Sequence, residues 1–474
     1  MSSRERLGRV SMQRIAVVAP REALRRVLVE VADSGTVDLD DVPVPSGVAI
    51  GPATEELQRQ GGAAATEPPV IGLDPPDIEG LARDGARSLL EGEAELERRQ
   101  HTALLHGRVA ALLGWTPRAA LPELRARVEP FGGAAVALPP PIGSDPPTML
   151  APKSRSAPFR ILIDTYGTVP YADVDPTPFA AVAFAVMFGM MFGDAGRGIL
   201  LIALGLWART GRGFVGRFRA GWALAVSAGI AATLFGIAFG EVFGPTHIVS
   251  AVWLVPLDDP LELLVAGILV GAVLLAVSQV IGTRNRWREG GARYALYEQS
   301  GIAGLCSYIG LGLLVAGWYE DQSAVAIAGG VMVAIGVALV FGGRFVAAGG
   351  RGTGFAQATV ESVDGVVRLS SNVVSFARLA AFGLTAAAIG SVVWDGTTAL
   401  WQPGPAAIAA VLLFVVGNLA AFALEALVVG VQALRLEYYE LFSRVFTTEG
   451  RPFRPWHVAL ADGERSKEAS WVSG

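Results

Sequence analysis

Cysteine is almost missing from this chain of 474 residues: Cys306 stands alone inside an apolar run, so no disulfide framework can form. Histidine is scarce as well. His101, His106, His247 and His457 do not cluster with acids or cysteine at metal-ligand spacing, so no metal and no other cofactor is expected. No GxxxxGK[ST] loop occurs, which argues against ATP hydrolysis by the chain itself. Lysine is limited to Lys153 and Lys467, arginine carrying nearly all the positive charge, and a net charge of −5 argues against a nucleic-acid surface. The first 30 residues lack an apolar core followed by a small-residue cleavage site, so the amino terminus is expected to stay in the cytoplasm.

What the chain has in excess is apolar sequence. Hydrophobic residues make up 52% of it, and their distribution is uneven. Up to about Asp175 the composition is mixed; from Pro178 to Leu436 long apolar runs alternate with short polar loops, as membrane-spanning helices require. The expected class is therefore mainly α, a polytopic membrane protein with a small cytoplasmic α/β and coiled-coil region ahead of it. Residues 1–41 read as the α/β unit: Gln13–Ala19 as a strand, Arg21–Ala32 as a helix, Thr36–Asp40 as a second strand. Residues 42–77 are rich in Pro and Gly and read as linker. Residues 78–157 read as a helical arm, with Ile78–Leu113 showing apolar residues at three- and four-residue steps. Residues 158–445 form the membrane domain and 446–474 a cytoplasmic tail.

Eight candidate spans follow: Phe179–Phe192, Gly198–Ala208, Gly221–Phe243, Leu261–Ile281, Gly301–Trp318, Ala324–Phe341, Ser370–Trp394 and Ala406–Tyr438. The loops holding Arg209 to Arg219, Arg284 to Arg293, and Arg344 with Arg351 are basic. The alternate loops, with Glu241, Asp258 and Asp259, then Glu320 and Asp321, then Asp395, carry no Lys or Arg. Basic loops stay cytoplasmic, so eight spans with both termini inside satisfy all of them.

Charges inside apolar helices are costly, about 2.5–3.5 kcal/mol each on insertion scales, and tend to face partners or water-filled paths. Arg378 lies in the span Ser370–Trp394. Steps of three, four and seven place Ser371, Ser375, Ala381, Thr385 and Ala388 on its face, a small and hydroxylated stripe that lets another helix approach closely. The competing reading is an arginine that snorkels to the headgroups. In the last span, Glu425 and Gln432 share a face and Arg435 follows; Arg435 also fits simple anchoring at the cytoplasmic end. Asp194 and Arg197 sit between two short spans. They are either a turn at membrane depth buried by protein, or a solvated pair in an ordinary glycine turn.

The segments carry a resemblance. Pro158–Gly198 (PFRILIDTYGTVPYADVDPTPFAAVAFAVMFGMMFGDAGRG) resembles the start of the membrane domain of the a/I subunit of vacuolar- and archaeal-type rotary ATPases. Ser375–Leu384 (SFARLAAFGL) is similar to the family segment around its rotor-facing arginine, and Leu424–Trp456 to its closing helix and tail. On that match Arg378 takes the place of the rotor-facing arginine. Glu425 takes that of the half-channel acid, Arg435 that of the second arginine, and Asp194 that of the acid in the family's MFGD segment. Asp364, fourteen residues before Arg378, falls where many relatives have Glu.

The resemblance implies a static, non-hydrolytic membrane subunit with two proton half-channels and two long tilted helices against a proteolipid c-ring. The central rotor and the soluble ATPase head are implied as indirect partners, and a multi-pass place in a prokaryotic cell membrane as location. Peripheral stalk subunits are the family's usual partners, but only about 160 residues precede the membrane domain here. The expectation is either a compact stator arm or a divergent complex. Two rival classes stand beside this one: a secondary transporter or channel that binds an anion at Arg378 and Arg435, and a structural anchor that moves no ions.

Overall fold

The computed structural model describes residues 9–40, 51–61, 67–141, 144–150, 156–348, 352–446 and 449–461. The chain divides into two compact units, one of residues 1–151 with 450–474, the other of residues 152–449.

The first unit is built on an antiparallel sheet. Its elements are β1 (Met12–Pro20), α1 (Leu24–Ser34), β2 (Asp38–Leu39), α2 (Pro52–Gln60), β3 (Val70–Ile71), α3 (Ile78–Arg83), α4 (Arg87–His101), β4 (Leu104–His106), β5 (Val109–Pro117), α5 (Leu121–Val128), β6 (Ala134–Leu138) and β7 (Ala459–Leu460). The strand order is β2-β5-β1-β6, with β4 turning back on β5. The β-branched run in β1 makes it the central strand, paired with both β5 and β6. Val27, Leu28 and Val31 of α1 are wholly buried in the same core as Ile15 and Val17. The C-terminal segment returns to this unit, where β7 pairs in parallel with β3.

Two expectations for this unit need correction. The continuous arm helix over Ile78–Leu113 does not form. Gly85, at φ +67, breaks it between α3 and α4, and Gly107, at φ +57, turns the next residues into a β-hairpin. Pairing of Val109–Pro117 with β1 outweighs the helical spacing of its sequence. Nor are residues 42–77 all linker, since α2 and β3 lie among them; residues 41–50 and 62–66 fall outside the described chain. Pro52 suits the first turn of α2, and Glu97 of α4 accepts bonds from the backbone N–H groups of Ala53 and Thr54 at 3.0 and 3.1 Å. A distant carboxylate thus replaces a capping side chain that Gly51 cannot supply.

The second unit is a helix bundle: α6 (Ile161–Tyr166), α7 (Thr177–Phe192), α8 (Ala195–Arg209), α9 (Trp222–Phe239), α10 (Pro260–Tyr297), α11 (Ile302–Tyr319), α12 (Ser323–Ala347), α13 (Gly352–Ser375), α14 (Ala377–Leu400), α15 (Pro405–Leu436) and a short α16 (Ser443–Val445). Six segments among the described residues are long and apolar enough to cross a membrane, which makes this a multi-pass membrane protein. α7 and α8 hold 16 and 15 residues, a rise of about 24 and 22 Å, short of a hydrocarbon core of roughly 30 Å. The count of eight full spans is therefore not reached by length. Instead α7 is the buried centre: Met187, Met190, Met191 and Phe192 have no exposed surface. Small residues set the helix separations, as they do where lipid gives no hydrophobic drive to association. Gly271 of α10 faces the ring of Phe376, with no room for a methyl between them.

Candidate functional site

The bundle carries two charged places in apolar surroundings. One is open and the other sealed.

The open place is centred on Arg378. The helix runs to Ser375 and resumes at Ala377; at Phe376 the bonding tightens, Phe376 N–H to Val373 O at 3.1 Å and Leu379 N–H to Phe376 O at 2.9 Å. Phe376 is wholly buried against Gly271, which fixes the joint to α10. Two residues on, Arg378 lines a groove of about 770 Å³ with Leu261, Leu264, Ser375, Ala381 and Leu384. A second hollow of about 560 Å³ shares Leu384 and adds Thr385 and Ala388. The small stripe expected beside Arg378 thus faces a continuous open groove. The opposite side of α14 packs through another set of small residues, Gly383, Ala387 and Gly390, all buried. Arg378 Nη1 is buried with no hydrogen-bond partner among the described residues. Its charged neighbours are Arg435 and Glu440, and Glu440 is tied to Ser375 Oγ at 2.8 Å. Arg435 itself is exposed. Gln432, one turn before it, also has a buried oxygen without a partner among the described residues.

The sealed place joins the α8 start to α15. Asp194 caps α8, accepting from Arg197 N–H at 2.9 Å, while Phe243 and Gly244 N–H donate to the same carboxylate at 3.0 and 2.8 Å. Arg197 reaches across to α15. Its Nη1 donates to both oxygens of Glu425 at 3.0 and 2.7 Å, and Nε and Nη2 donate to Asn418 Oδ1 at 3.3 and 3.1 Å. Asp194 closes the ring at 3.6 Å from Arg197 Nε, with the side chains of Asp194 and Arg197 each 1% exposed. Glu241, also buried, senses Asp194, Arg197 and Glu425, and its carbonyl holds Ala195 N–H at 2.9 Å. Three carboxyl groups therefore surround one guanidinium.

Of the residues singled out in the sequence, Asp194 and Glu425 meet in this cluster, with Arg197 between them. The solvated-pair reading of Asp194 and Arg197 is excluded by their burial. Asp364 joins neither place: on α13 it pairs with Arg368 at 2.6 Å and is largely exposed. Arg197, Asn418 and Glu241 were not selected as site residues from the sequence. Two signals pointed to them: Arg197 opens an otherwise apolar helix, and Asn418 lies seven residues before Glu425 on one face of α15. Glu241 had none, because loop Glu and buried Glu look alike in a sequence.

Away from the membrane spans, Asp173 precedes α7 and is buried beside α10. Burial, reinforced by nearby Glu289, pushes its carboxyl up to about 8. Next to it Val174 N–H donates to Asn285 Oδ1 at 3.0 Å, and Asn285 donates to the carbonyl of Val445 at 3.2 Å. One asparagine thereby ties the start of α7 and the end of the last helices to α10.

The chain is similar to known proteins along much of its length. Residues 106–212 match the V-type ATPase 116kDa subunit family. The chain is 27% identical over 405 residues to the A-type ATP synthase subunit I of Archaeoglobus fulgidus, covering 73% of this chain and 58% of the relative. The like-named protein of Thermococcus kodakarensis is 27% identical over 370 residues, 73% of this chain and 54% of the relative. That of Methanocaldococcus jannaschii is 27% identical over 346 residues, 65% and 49% respectively. The chain spans about half the length of the curated relatives it matches. Over residues 106–212 the chain is thus similar to the V-type ATPase 116kDa subunit family, and over about two thirds or more of its length to archaeal A-type ATP synthase subunit I proteins.

Proposed function

We propose that this chain is the static membrane subunit of an A- or V-type rotary ATPase and moves protons between two half-channels and a turning proteolipid ring. The observation that carries the reading is Arg378: a permanently charged guanidinium on an open groove, flanked by small residues, with a donor that nothing among the described residues engages. A buried unmet donor is costly and calls for a partner. The carboxylate of each ring subunit, passing along the groove, is a partner of the right charge. Opposite Arg378 that carboxylate is favoured in its ionised form and releases its proton. The same fixed charge opposes a proton crossing directly from one half-channel to the other.

The sealed cluster is assigned to the half-channel on the side away from the basic loops. Asp194, Glu241 and Glu425 outnumber the cation that joins them, so the cluster has acceptor sites for a proton in transit. Asn418 and Arg197 hold Glu425 in place. Arg435 and Gln432 are assigned to the mouth on the other side, next to Arg378. Asp364 is kept as a more remote contributor on the face of α13, where Arg368 balances it.

The test is ATP-driven acidification of inverted vesicles that contain the assembled complex, wild type against Arg378→Ala. Pumping is expected to vanish while the ring and the soluble head are still recovered with the variant. Undiminished pumping would leave the chain as an anchor, or place the ion path elsewhere.

A further inference from the structure

The arginine-rich stretches of the membrane unit use their charge differently. At the end of α10, Arg286 pairs with Glu289 at 2.8 Å, and Arg344 of α12 pairs with Glu298 at 3.1 Å and Glu361 at 3.4 Å. Between α8 and α9, Arg209, Arg212, Arg217 and Arg219 are all exposed, and no Asp or Glu occurs from Ala195 to Gly240. Among the described residues none of these four meets a carboxylate. Arg209 lies over Trp222 at 4.8 Å and Arg217 over Phe214 at 5.2 Å. Topology alone needs positive charge on this loop, but it does not need the charge left unpaired.

The loop also presents aromatic surface. Gly211 and Gly213, at φ +70 and +66, turn the chain out of α8 into a 3-10 segment, Phe214–Gly221. Phe214 and Phe218 meet edge to face at 6.2 Å and remain 70% and 63% exposed. Leu206 and Trp207, in the last turn of α8, are exposed as well and carry apolar surface up to this segment.

We propose that the stretch from Arg209 to Trp222 is a docking surface for acidic phospholipid headgroups of the cytoplasmic leaflet. The two phenyl rings enter the boundary between headgroups and acyl chains, where aromatic side chains are favoured. The guanidinium groups of Arg212, Arg217 and Arg219 then meet lipid phosphates, whose geometry suits their paired donors. An acidic protein partner would satisfy the arginines but would give two phenyl rings at membrane level no reason to face outward. The proposal does not depend on the ion path.

The test uses the full chain, purified in detergent and titrated with phosphatidylglycerol or phosphatidylcholine, bound lipids being counted by native mass spectrometry. Wild type is expected to retain phosphatidylglycerol in preference. Each arginine removed should weaken that preference about fivefold, so Arg212→Gln with Arg217→Gln lowers it roughly 25-fold. The charge-matched pair Arg344→Gln with Arg368→Gln, whose arginines are already ion-paired with Glu298, Glu361 and Asp364, should change it far less. Phe214→Ser with Phe218→Ser should weaken retention of both lipids while the preference persists, and it supplies a second reading if the arginine pair fails to fold. No preference in wild type, or equal losses in the two arginine pairs, would overturn the proposal. So would an unchanged preference in Arg212→Gln/Arg217→Gln, which would turn attention to an acidic protein partner.

Discussion

Arg197 and Arg378 are both arginines in apolar helices of the same bundle, yet their surroundings are opposite. Every nitrogen of Arg197 is engaged, by Glu425, Asn418 and Asp194, and the side chain has almost no contact with the outside. Arg378 stands on a groove with Nη1 unmatched. An arginine whose donors are satisfied internally holds a structure together. One left unmatched beside an open, small-residue surface has a donor free for the partner proposed above. Either residue in isolation would read as a buried charge, and the contrast is what supports the different roles proposed for them.

The largest expected effect is the loss of pumping in Arg378→Ala at intact assembly. It would sharpen the contrast, since thermal stability should hardly change when no internal bond of the altered nitrogen is lost. Arg197→Ala should do the reverse in the first instance. It leaves Glu425 and Asp194 buried beside an empty space, at a cost of about 3–5 kcal/mol. Reduced yield and a lowered Tm in detergent are expected, and Arg197→Met combined with Glu425→Gln should recover most of that stability but not the pumping. If Arg197→Ala were as stable as wild type, the sealed cluster would be no cluster.

Gly271→Ala comes next. A methyl there overlaps the Phe376 ring, so the joint before Arg378 must shift. A loss of about 1–3 kcal/mol is expected, and pumping should fall severalfold although no charge has changed. Normal pumping in this variant would show that the joint does not position Arg378.

The smallest effect concerns Asp173. Its carboxyl is raised to about 8 by burial and by Glu289. A raised acid keeps its proton in the folded state while the unfolded chain, with an ordinary value of 3.8, has already lost it. That stability is fully present below pH 4 and lost as pH rises toward 8. Asp173→Asn should therefore flatten the decline of Tm between pH 5 and pH 8; an unaltered slope would assign the decline to other groups.

Much of this was legible in the sequence, for physical reasons that can be named. Apolar runs and basic loops located the membrane unit, because insertion depends on composition over about twenty residues and little on tertiary context. The stripe Ser375, Ala381, Thr385, Ala388 was readable because helical spacing alone sets it. Two kinds of feature were not legible. The hairpin of β4 and β5 was hidden because Ile78–Leu113 has helical spacing throughout, and its strand state comes from pairing with β1. The clamp of Arg197 on Glu425 leaves no sequence signal, because 228 residues separate the two and only the packing of α8 near α15 joins them. Asp194 and Glu425 carried their own signal of isolation in apolar sequence; the residue that reconciles them did not.

The most direct test of the proposal that the Arg378 face of α14 meets a proteolipid ring is cysteine cross-linking in a chain whose single cysteine has been changed by Cys306→Ser. Ala381→Cys and Thr385→Cys, on the Arg378 groove, should each form an oxidative cross-link to a cysteine on the outer helix of the proteolipid. Ala387→Cys, buried on the opposite side, should not. Cross-linking through Ala387→Cys with none through Thr385→Cys would put the ring on the other face and contradict the role given to Arg378.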